Sequence, residues 1–187
     1  MAVRHTAPSR HRSYDRAIRN HLLRHACAGH KQEWPGYDDD ERPLDPAGVH
    51  QAEALADVLA GEEVRRLVAS PARRCVDTLE PLARRLGLPV ETSTRLAADV
   101  DVEALLDLLV GPLFDGAVLC THGEAMKPLL GALRSQGASI VAERTDDDWL
   151  LGKGTAWSLL IEDRRVVSLT HVAPVPVAAC PRHLGGP

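Results

Sequence analysis

The sequence predicts an α/β fold, a sandwich in which helices cover a mostly parallel sheet. Along most of the chain, short apolar runs typical of buried strands alternate with longer segments of helical periodicity. Near the C-terminus, two apolar segments, residues 155–161 and 166–172, flank the polar turn Glu162-Asp163-Arg164-Arg165 and predict a β-hairpin. The composition, with 44% hydrophobic and 26% charged residues, is ordinary for a globular domain of this kind.

Four further strands are predicted from short, mainly apolar runs that are bounded by charged or turn-forming residues. They span residues 18–24, 66–69, 89–92 and 117–121.

Helix boundaries are marked by residues that favour helix ends. Asp45-Pro46 and Ser70-Pro71 each predict an N-cap followed by the first helical residue. Gly61 and Gly87 predict the ends of these two helices, and Pro81 predicts a break or kink in the second. Two more helices are predicted over residues 102–110 and 123–137.

These elements predict one domain over residues 18–175. A chain of 187 residues is long enough for a domain of that size to bury a core. Residues 1–17 carry Arg, His, Ser and Pro without a period, and residues 176–187 are rich in Pro and Gly. We therefore expect a poorly ordered tail at each end.

Charge and composition argue against several classes of partner. The net charge of −4, from 22 basic and 26 acidic residues, predicts no general affinity for nucleic acid or anionic membranes. No apolar run is long enough to span a bilayer, and the N-terminus does not resemble a signal peptide. Four widely spaced cysteines without a CxxC pair favour a cytoplasmic protein. Histidine and cysteine spacings typical of metal sites are missing too, so we expect neither a metal nor another cofactor.

Three groups of polar residues each follow a predicted strand, the position where open α/β sheets collect their ligand-binding side chains. They are Arg24-His25, Ser70-Pro71-Ala72-Arg73-Arg74 and His122-Gly123-Glu124. Such a set suits phosphoryl transfer, because guanidinium groups bind a phosphoryl dianion and a neutral imidazole can attack phosphorus. Taken alone, each group more often has a structural role. A histidine such as His25 is common at a strand end, a pair such as Arg73-Arg74 is common at the solvated start of a helix, and His122 could cap the helix that follows it. Their joint occurrence at three strand ends favours a functional site.

The motifs around these groups share their order and spacing with a known family over about residues 20–172. They are Leu23-Arg24-His25-Ala26; Arg42-Pro43-Leu44-Asp45-Pro46-Ala47-Gly48 with Gln51-Ala52; Ser70-Pro71-Ala72-Arg73-Arg74 with Thr78; and Thr121-His122-Gly123. In this combination the chain resembles the histidine phosphatase (phosphoglycerate mutase-like) superfamily. Ala26 in place of the commoner Gly, the stretch Ala28-Gly29-His30-Lys31 and the Arg-Pro-Leu segment point to a subgroup. It comprises the short phosphohistidine phosphatases and the phosphatase-like domain attached to some Nudix hydrolases.

The resemblance implies a three-layer α/β/α sandwich and assigns roles to individual residues. His25 would be the nucleophile, and three further residues would bind the phosphoryl group: Arg24, Arg74 and His122. Lys31 would be a further substrate contact, and Arg42 and Arg73 are weaker candidates at the outer pocket. The resemblance implies no cofactor.

The proton donor is left open by the sequence. Family members usually carry an acidic residue after the third strand, where this chain has Ala98 followed by Asp99. Glu124, directly after His122-Gly123, is the alternative. If neither residue serves, substrates with good leaving groups, such as phosphoramidates or acid anhydrides, would be favoured.

The function expected from these residues is hydrolysis of a phosphorylated small molecule or a phosphohistidine protein through a phosphohistidine intermediate. A non-catalytic phosphate-binding module is the alternative from another class. A phosphoglycerate mutase is less favoured, because the chain lacks the extended insertions with which mutases enclose their substrate.

Overall fold

A computed structural model of the chain describes residues 17–172, without the side chains of Asp147 and Asp148. Seven strands form one sheet: β1 Ile18–Arg24, β2 Arg66–Ala69, β3 Val90–Thr92, β4 Ala117–Thr121, β5 Ser139–Val141, β6 Ala156–Glu162 and β7 Arg165–Val172. Five α-helices accompany them: α1 Pro46–Leu59, α2 Arg73–Leu86, α3 Val102–Leu109, α4 Gly123–Ser135 and α5 Asp147–Leu150.

The predicted tails, residues 1–17 and 176–187, lie outside the described residues apart from Ala17, so the domain boundaries stay a prediction. Between residues 17 and 172, no helix combines the length and the apolar character needed to cross a bilayer. The cytoplasmic location stays a prediction as well.

The strand order is β3-β2-β4-β1-β6-β7-β5. Strands β3, β2, β4 and β1 are parallel, β6 and β7 continue the sheet with antiparallel pairing, and β5 pairs parallel with β7. The predicted, mostly parallel sheet is therefore confirmed. Because β2, β4 and β1 are neighbours that run in the same direction, the residues just after these three strands meet at one edge of the sheet.

Two apolar clusters lie on opposite faces of the sheet, because successive strand residues point to opposite sides. In β1, Leu22 packs with α3 and α4, whereas the next residue, Leu23, packs with α1 and α2. In β4, Val118 packs on the side of α1 and α2, and the next residue, Leu119, packs on the side of α3 and α4. Helices on both faces make the three-layer α/β/α sandwich that the family resemblance implies.

The C-terminal hairpin is confirmed as the pair β6–β7. Asp163 and Arg164 connect the strands, both with positive φ, 46° and 63°. Two consecutive positive φ values are typical of the tight hairpin turn whose twist matches that of the flanking strands.

The predicted start of the second helix was wrong, and so was the predicted break at Pro81, while the kink given as its alternative stays a prediction. Helix α2 begins at Arg73 with Ala72 as N-cap, not at Ser70-Pro71: Ser70 Oγ accepts from Ala72 N only at 3.4 Å and lies closer, at 2.9 Å, to His122 Nε2. Nor does Pro81 end this helix, which runs on to Leu86. Proline removes one hydrogen bond from a helix interior, and the buried residues Leu79 and Leu82 on either side of Pro81 hold the helix against the core.

Candidate active site

His25 comes directly after the last residue of β1, and its main chain is held from two directions. Its backbone N–H donates to the carbonyl oxygen of Thr121 at 3.0 Å, and its own carbonyl oxygen accepts from Gly154 N at 3.1 Å. The imidazole Nδ1 lies 2.8 Å from the carbonyl oxygen of Ala26. A carbonyl only accepts, so Nδ1 carries the proton and Nε2 of the neutral ring holds the free electron pair.

The electrostatic environment keeps the His25 imidazole neutral. Burial lowers its pKa well below the usual 6.5, and the nearby His122, Arg74 and Arg24 lower it further, whereas the hydrogen bond to Ala26 acts in the opposite direction. At neutral pH the ring therefore presents the unprotonated Nε2 that a nucleophile needs.

Arg24 is fixed beside the start of α4. Its Nη1 donates to the carbonyl oxygen of Leu151, and its buried Nε–H has no hydrogen-bond partner in the structure. A Cβ built on Gly123 would lie 2.8 Å from Arg24 Cζ and 2.9 Å from Nε. Gly123 is therefore the residue that lets the guanidinium group lie against the helix.

We predict that Gly123→Ala will impair the site more than the fold, because the atoms it meets are the far end of a flexible side chain. Displacing one charge-assisted donor from a phosphoryl group costs about 1.5–3 kcal/mol, or roughly 10- to 100-fold in kcat/KM. The control is Gly131→Ala, an exposed position in the same helix with no atom within 4 Å of the added Cβ. This control should keep its activity and raise the melting temperature slightly. Equal activity of the two variants would contradict the prediction.

Arg74, in the first turn of α2, brings a second buried guanidinium to the site. Its Nη1 donates to the carbonyl oxygen of Asp39 at 2.7 Å, and its Nη2 donates to His122 Nδ1 at 3.3 Å. The carboxylates of Asp39 and Asp40 lie 3.5 and 3.8 Å from the same group. Like Arg24, it has a buried Nε–H without a hydrogen-bond partner in the structure. Two such groups near one histidine are suited to bind an anion.

The motif residue Thr78 ties α2 to the segment after His25. Its hydroxyl donates to the carbonyl oxygen of Arg74 at 2.6 Å and accepts from the backbone N–H of Ala26 at 3.0 Å. The spacing of Arg74 and Thr78, one helical turn, thus connects the second guanidinium to the loop of the candidate nucleophile.

His122 lies at the N-cap of α4, and its ring centre is 5.4 Å from that of His25. Since an arginine only donates, the contact with Arg74 requires an unprotonated Nδ1, and Nε2 then carries the proton of the neutral ring. Nε2 lies 2.9 Å from Ser70 Oγ and 3.6 Å from Cys75 Sγ. Ser70, predicted as a helix cap and as the first residue of the second candidate group, therefore orients His122.

The weaker substrate candidates differ in their surroundings. Arg42 is buried, and its guanidinium donates to the carbonyl oxygens of Ala28 and Gly29 and to Asp39, so it holds the loop after His25 together. The Lys31 side chain is 71% exposed, with Nζ 4.0 Å from Asp39. Arg73 is also largely exposed and pairs with Asp77 of its own helix at 3.6 Å.

The two acidic candidates also lie in different places. Asp99 is exposed in the turn before α3. Glu124 is exposed in the first turn of α4, and its carboxylate lies close enough to Arg24 to raise the pKa of that guanidinium against the larger, lowering effect of burial. Of the two, the structure thus places Glu124 beside a residue of the site.

Lys153, which the sequence did not single out, also lies at the site. Its Nζ donates to the carbonyl oxygen of Gly29 at 3.4 Å. Burial lowers its pKa, and the charges of Arg24, Arg42 and Arg74 lower it further, whereas Asp45 raises it. The sequence signal was a lysine between two glycines just before a predicted strand, a pattern without a recognised function.

Comparisons with known proteins agree with this arrangement. A family model described as histidine phosphatase superfamily (branch 1) matches residues 21–100. An 8-oxo-(d)GTP phosphatase of Mycolicibacterium smegmatis is 32% identical over 160 residues, which cover 82% of this chain and 47% of the relative. The chain thus spans about half the length of this curated relative.

Solved structures share the fold. The protein histidine phosphatase SixA, complexed with tungstate, superposes with a TM-score of 0.60 at 23% identity, covering 83% of this chain and 94% of SixA. A mycobacterial glucosyl-3-phosphoglycerate phosphatase gives a TM-score of 0.59 at 20% identity, with 84% and 98% covered. Sequence motifs and the family model over residues 21–100 agree on the histidine phosphatase superfamily, and the solved structures share the fold.

Proposed function

We propose that this protein is a cofactor-independent phosphohydrolase in which His25 is the nucleophile. One observation carries the proposal: a buried, neutral imidazole lies in one site with Arg24 and Arg74, each of which has a buried Nε–H without a hydrogen-bond partner in the structure. A bound phosphoryl group would satisfy both donors and present its phosphorus to Nε2 of His25.

The reaction would proceed in two displacements. In the first, the electron pair of His25 Nε2 forms a bond to phosphorus while the bond from phosphorus to the leaving group breaks. In the second, water attacks the phosphohistidine, the P–N bond breaks, and inorganic phosphate leaves. Arg24, Arg74 and His122 would stabilise the negative charge on the phosphoryl oxygens in both steps.

For the proton donor we favour Glu124 over Asp99, because Glu124 lies in the first turn of α4 beside Arg24. A carboxylic acid there would protonate the departing oxygen in the first step and could accept a proton from water in the second.

The substrate is a phosphorylated small molecule or a phosphohistidine protein. The similar proteins support both classes, since one is named as a nucleotide phosphatase and another as a protein histidine phosphatase. A phosphate-binding module without turnover is the second candidate. It would apply if neither acidic candidate protonates a leaving group, and both Asp99 and Glu124 are exposed to solvent.

The test is hydrolysis of a phosphoramidate, 4-nitrophenyl phosphate and an alkyl phosphate. We expect the wild type to turn over all three, the alkyl phosphate most slowly. We expect Glu124→Gln to lower kcat on the alkyl phosphate by about 10²-fold or more, because a poor leaving group depends most on general acid catalysis. The same change should matter far less for 4-nitrophenyl phosphate.

Three other outcomes would change the assignment. Phosphate binding with no turnover of any substrate would indicate the binding module. A loss in Asp99→Asn but not in Glu124→Gln would move the proton donor to Asp99. If neither change affects the alkyl phosphate, no general acid of this kind operates.

A further inference from the structure

The segment Gly152-Lys153-Gly154 is fixed next to the candidate nucleophile by its main chain. Gly154 N donates to the carbonyl oxygen of His25 at 3.1 Å, and the side-chain amide of Gln51 donates to the carbonyl oxygen of Lys153 at 3.2 Å. Gly154 has φ +73°, and a Cβ there would lie 2.9 Å from Gln51 Cδ. The position of Lys153 relative to His25 is therefore set by the fold.

The Lys153 side chain is half-buried among cations. Its ammonium group lies within electrostatic reach of Arg24, Arg42 and Arg74, and Asp45 is the acidic residue that opposes them there. Because like charges repel, these cations disfavour the protonated lysine and, together with burial, lower its pKa. A bound anion would reverse this effect.

A purely structural role explains this lysine poorly. Its hydrogen bond, to the carbonyl oxygen of Gly29, is long at 3.4 Å. Arg42 already donates to that oxygen and, at 2.6 Å, to the neighbouring carbonyl of Ala28. The loop after His25 is thus held without Lys153, whose two remaining N–H donors can contact a ligand.

We propose that Lys153 is a phosphate-binding residue of this site and donates to the phosphoryl group together with Arg24 and Arg74. The inference rests on the proposed function, since it takes the site between these residues to hold a phosphoryl group. It adds a phosphate-binding residue from the segment before β6, and none of the sequence motifs includes that segment.

The test is calorimetric titration of the full chain with inorganic phosphate at pH 7. Loss of a charge-assisted hydrogen bond costs about 1.5–3 kcal/mol, so Lys153→Met should raise the Kd by roughly 10- to 100-fold. Lys153→Arg should recover most of the affinity. The control is Lys127→Met, at an exposed position in α4, which should bind phosphate like the wild type.

A second measurement does not depend on a variant that folds. The chain has three lysines, so acetylation by acetic anhydride can be followed at each by mass spectrometry. Saturating phosphate should protect Lys153 and leave Lys127 as reactive as before. Equal acetylation of Lys153 with and without phosphate, or a Kd for Lys153→Met within twofold of the wild type, would overturn the inference. If the wild type neither binds phosphate nor turns over any substrate, the proposed function itself fails.

Discussion

Replacing His25 with alanine is expected to lower kcat/KM for 4-nitrophenyl phosphate by at least about 10³-fold, as loss of a nucleophile does in other enzymes with covalent intermediates. The imidazole Nε2 is the atom that would bond to phosphorus, and alanine offers no replacement. The control is His50→Ala, an exposed histidine on α1, which should keep wild-type activity. The fold should survive, because the main chain of His25, not its ring, makes the bonds to Thr121 and Gly154.

The same pair of variants also tests the intermediate. After incubation with a ³²P-labelled phosphodonor and a rapid quench, the wild type and His50→Ala should carry a label that is stable in alkali and labile in acid, as phosphohistidine is. His25→Ala should carry none. If His25→Ala retains most of the activity or the label, His25 is not the nucleophile.

Replacing Gly48 with alanine is expected to have the largest effect on folding. Gly48 lies in the first turn of α1, where a Cβ would be 1.8 Å from the carbonyl oxygen of Cys27 and 2.8 Å from its carbonyl carbon. Both atoms belong to the backbone of the loop after His25, so no side-chain rotation can relieve the overlap. We expect a loss of more than about 2 kcal/mol in the free energy of unfolding, and reduced turnover because the loop must move.

Thermal or urea unfolding checks this prediction through the sign of the change in the free energy of unfolding. Glycine to alanine inside a helix ordinarily stabilises by up to about 1 kcal/mol, and Gly131→Ala in α4 should show that ordinary gain. Gly48→Ala should show the opposite. A variant as stable and as active as the wild type would mean that α1 and the loop do not need to approach so closely.

The sequence predicted β1, β2 and β4 to the residue. These strands are short apolar runs, and each ends just before a polar residue: His25, Ser70 or His122. A buried parallel strand depends mainly on its own side chains, so its limits are visible locally.

Contacts between distant segments could not be predicted in the same way. Ser70-Pro71 is a good helix start on local grounds, but Ser70 bonds to His122, 52 residues away. Elements β5 and α5, with three and four residues, are too short to show a period.

The residues of the candidate site also fall into those that the sequence could predict and those that it could not. The order of the motifs predicted that His25, Arg74 and His122 would meet, because three neighbouring parallel strands end at one edge. Arg42 and Lys153 lie in loops, where the direction of a side chain depends on the whole fold. Their local patterns therefore do not predict that Arg42 holds the loop after His25 or that Lys153 lies at the site.

The two main-chain hydrogen bonds of His25 bear on how the ring reaches its target. A nucleophile on a free loop must lose conformational entropy each time a substrate is attacked. Here Thr121 and Gly154 restrict the backbone, and Ala26 restricts the rotation of the ring. In the proposed mechanism, the ordering of the reacting nitrogen is therefore completed during folding, and little of it has to be repeated in each turnover.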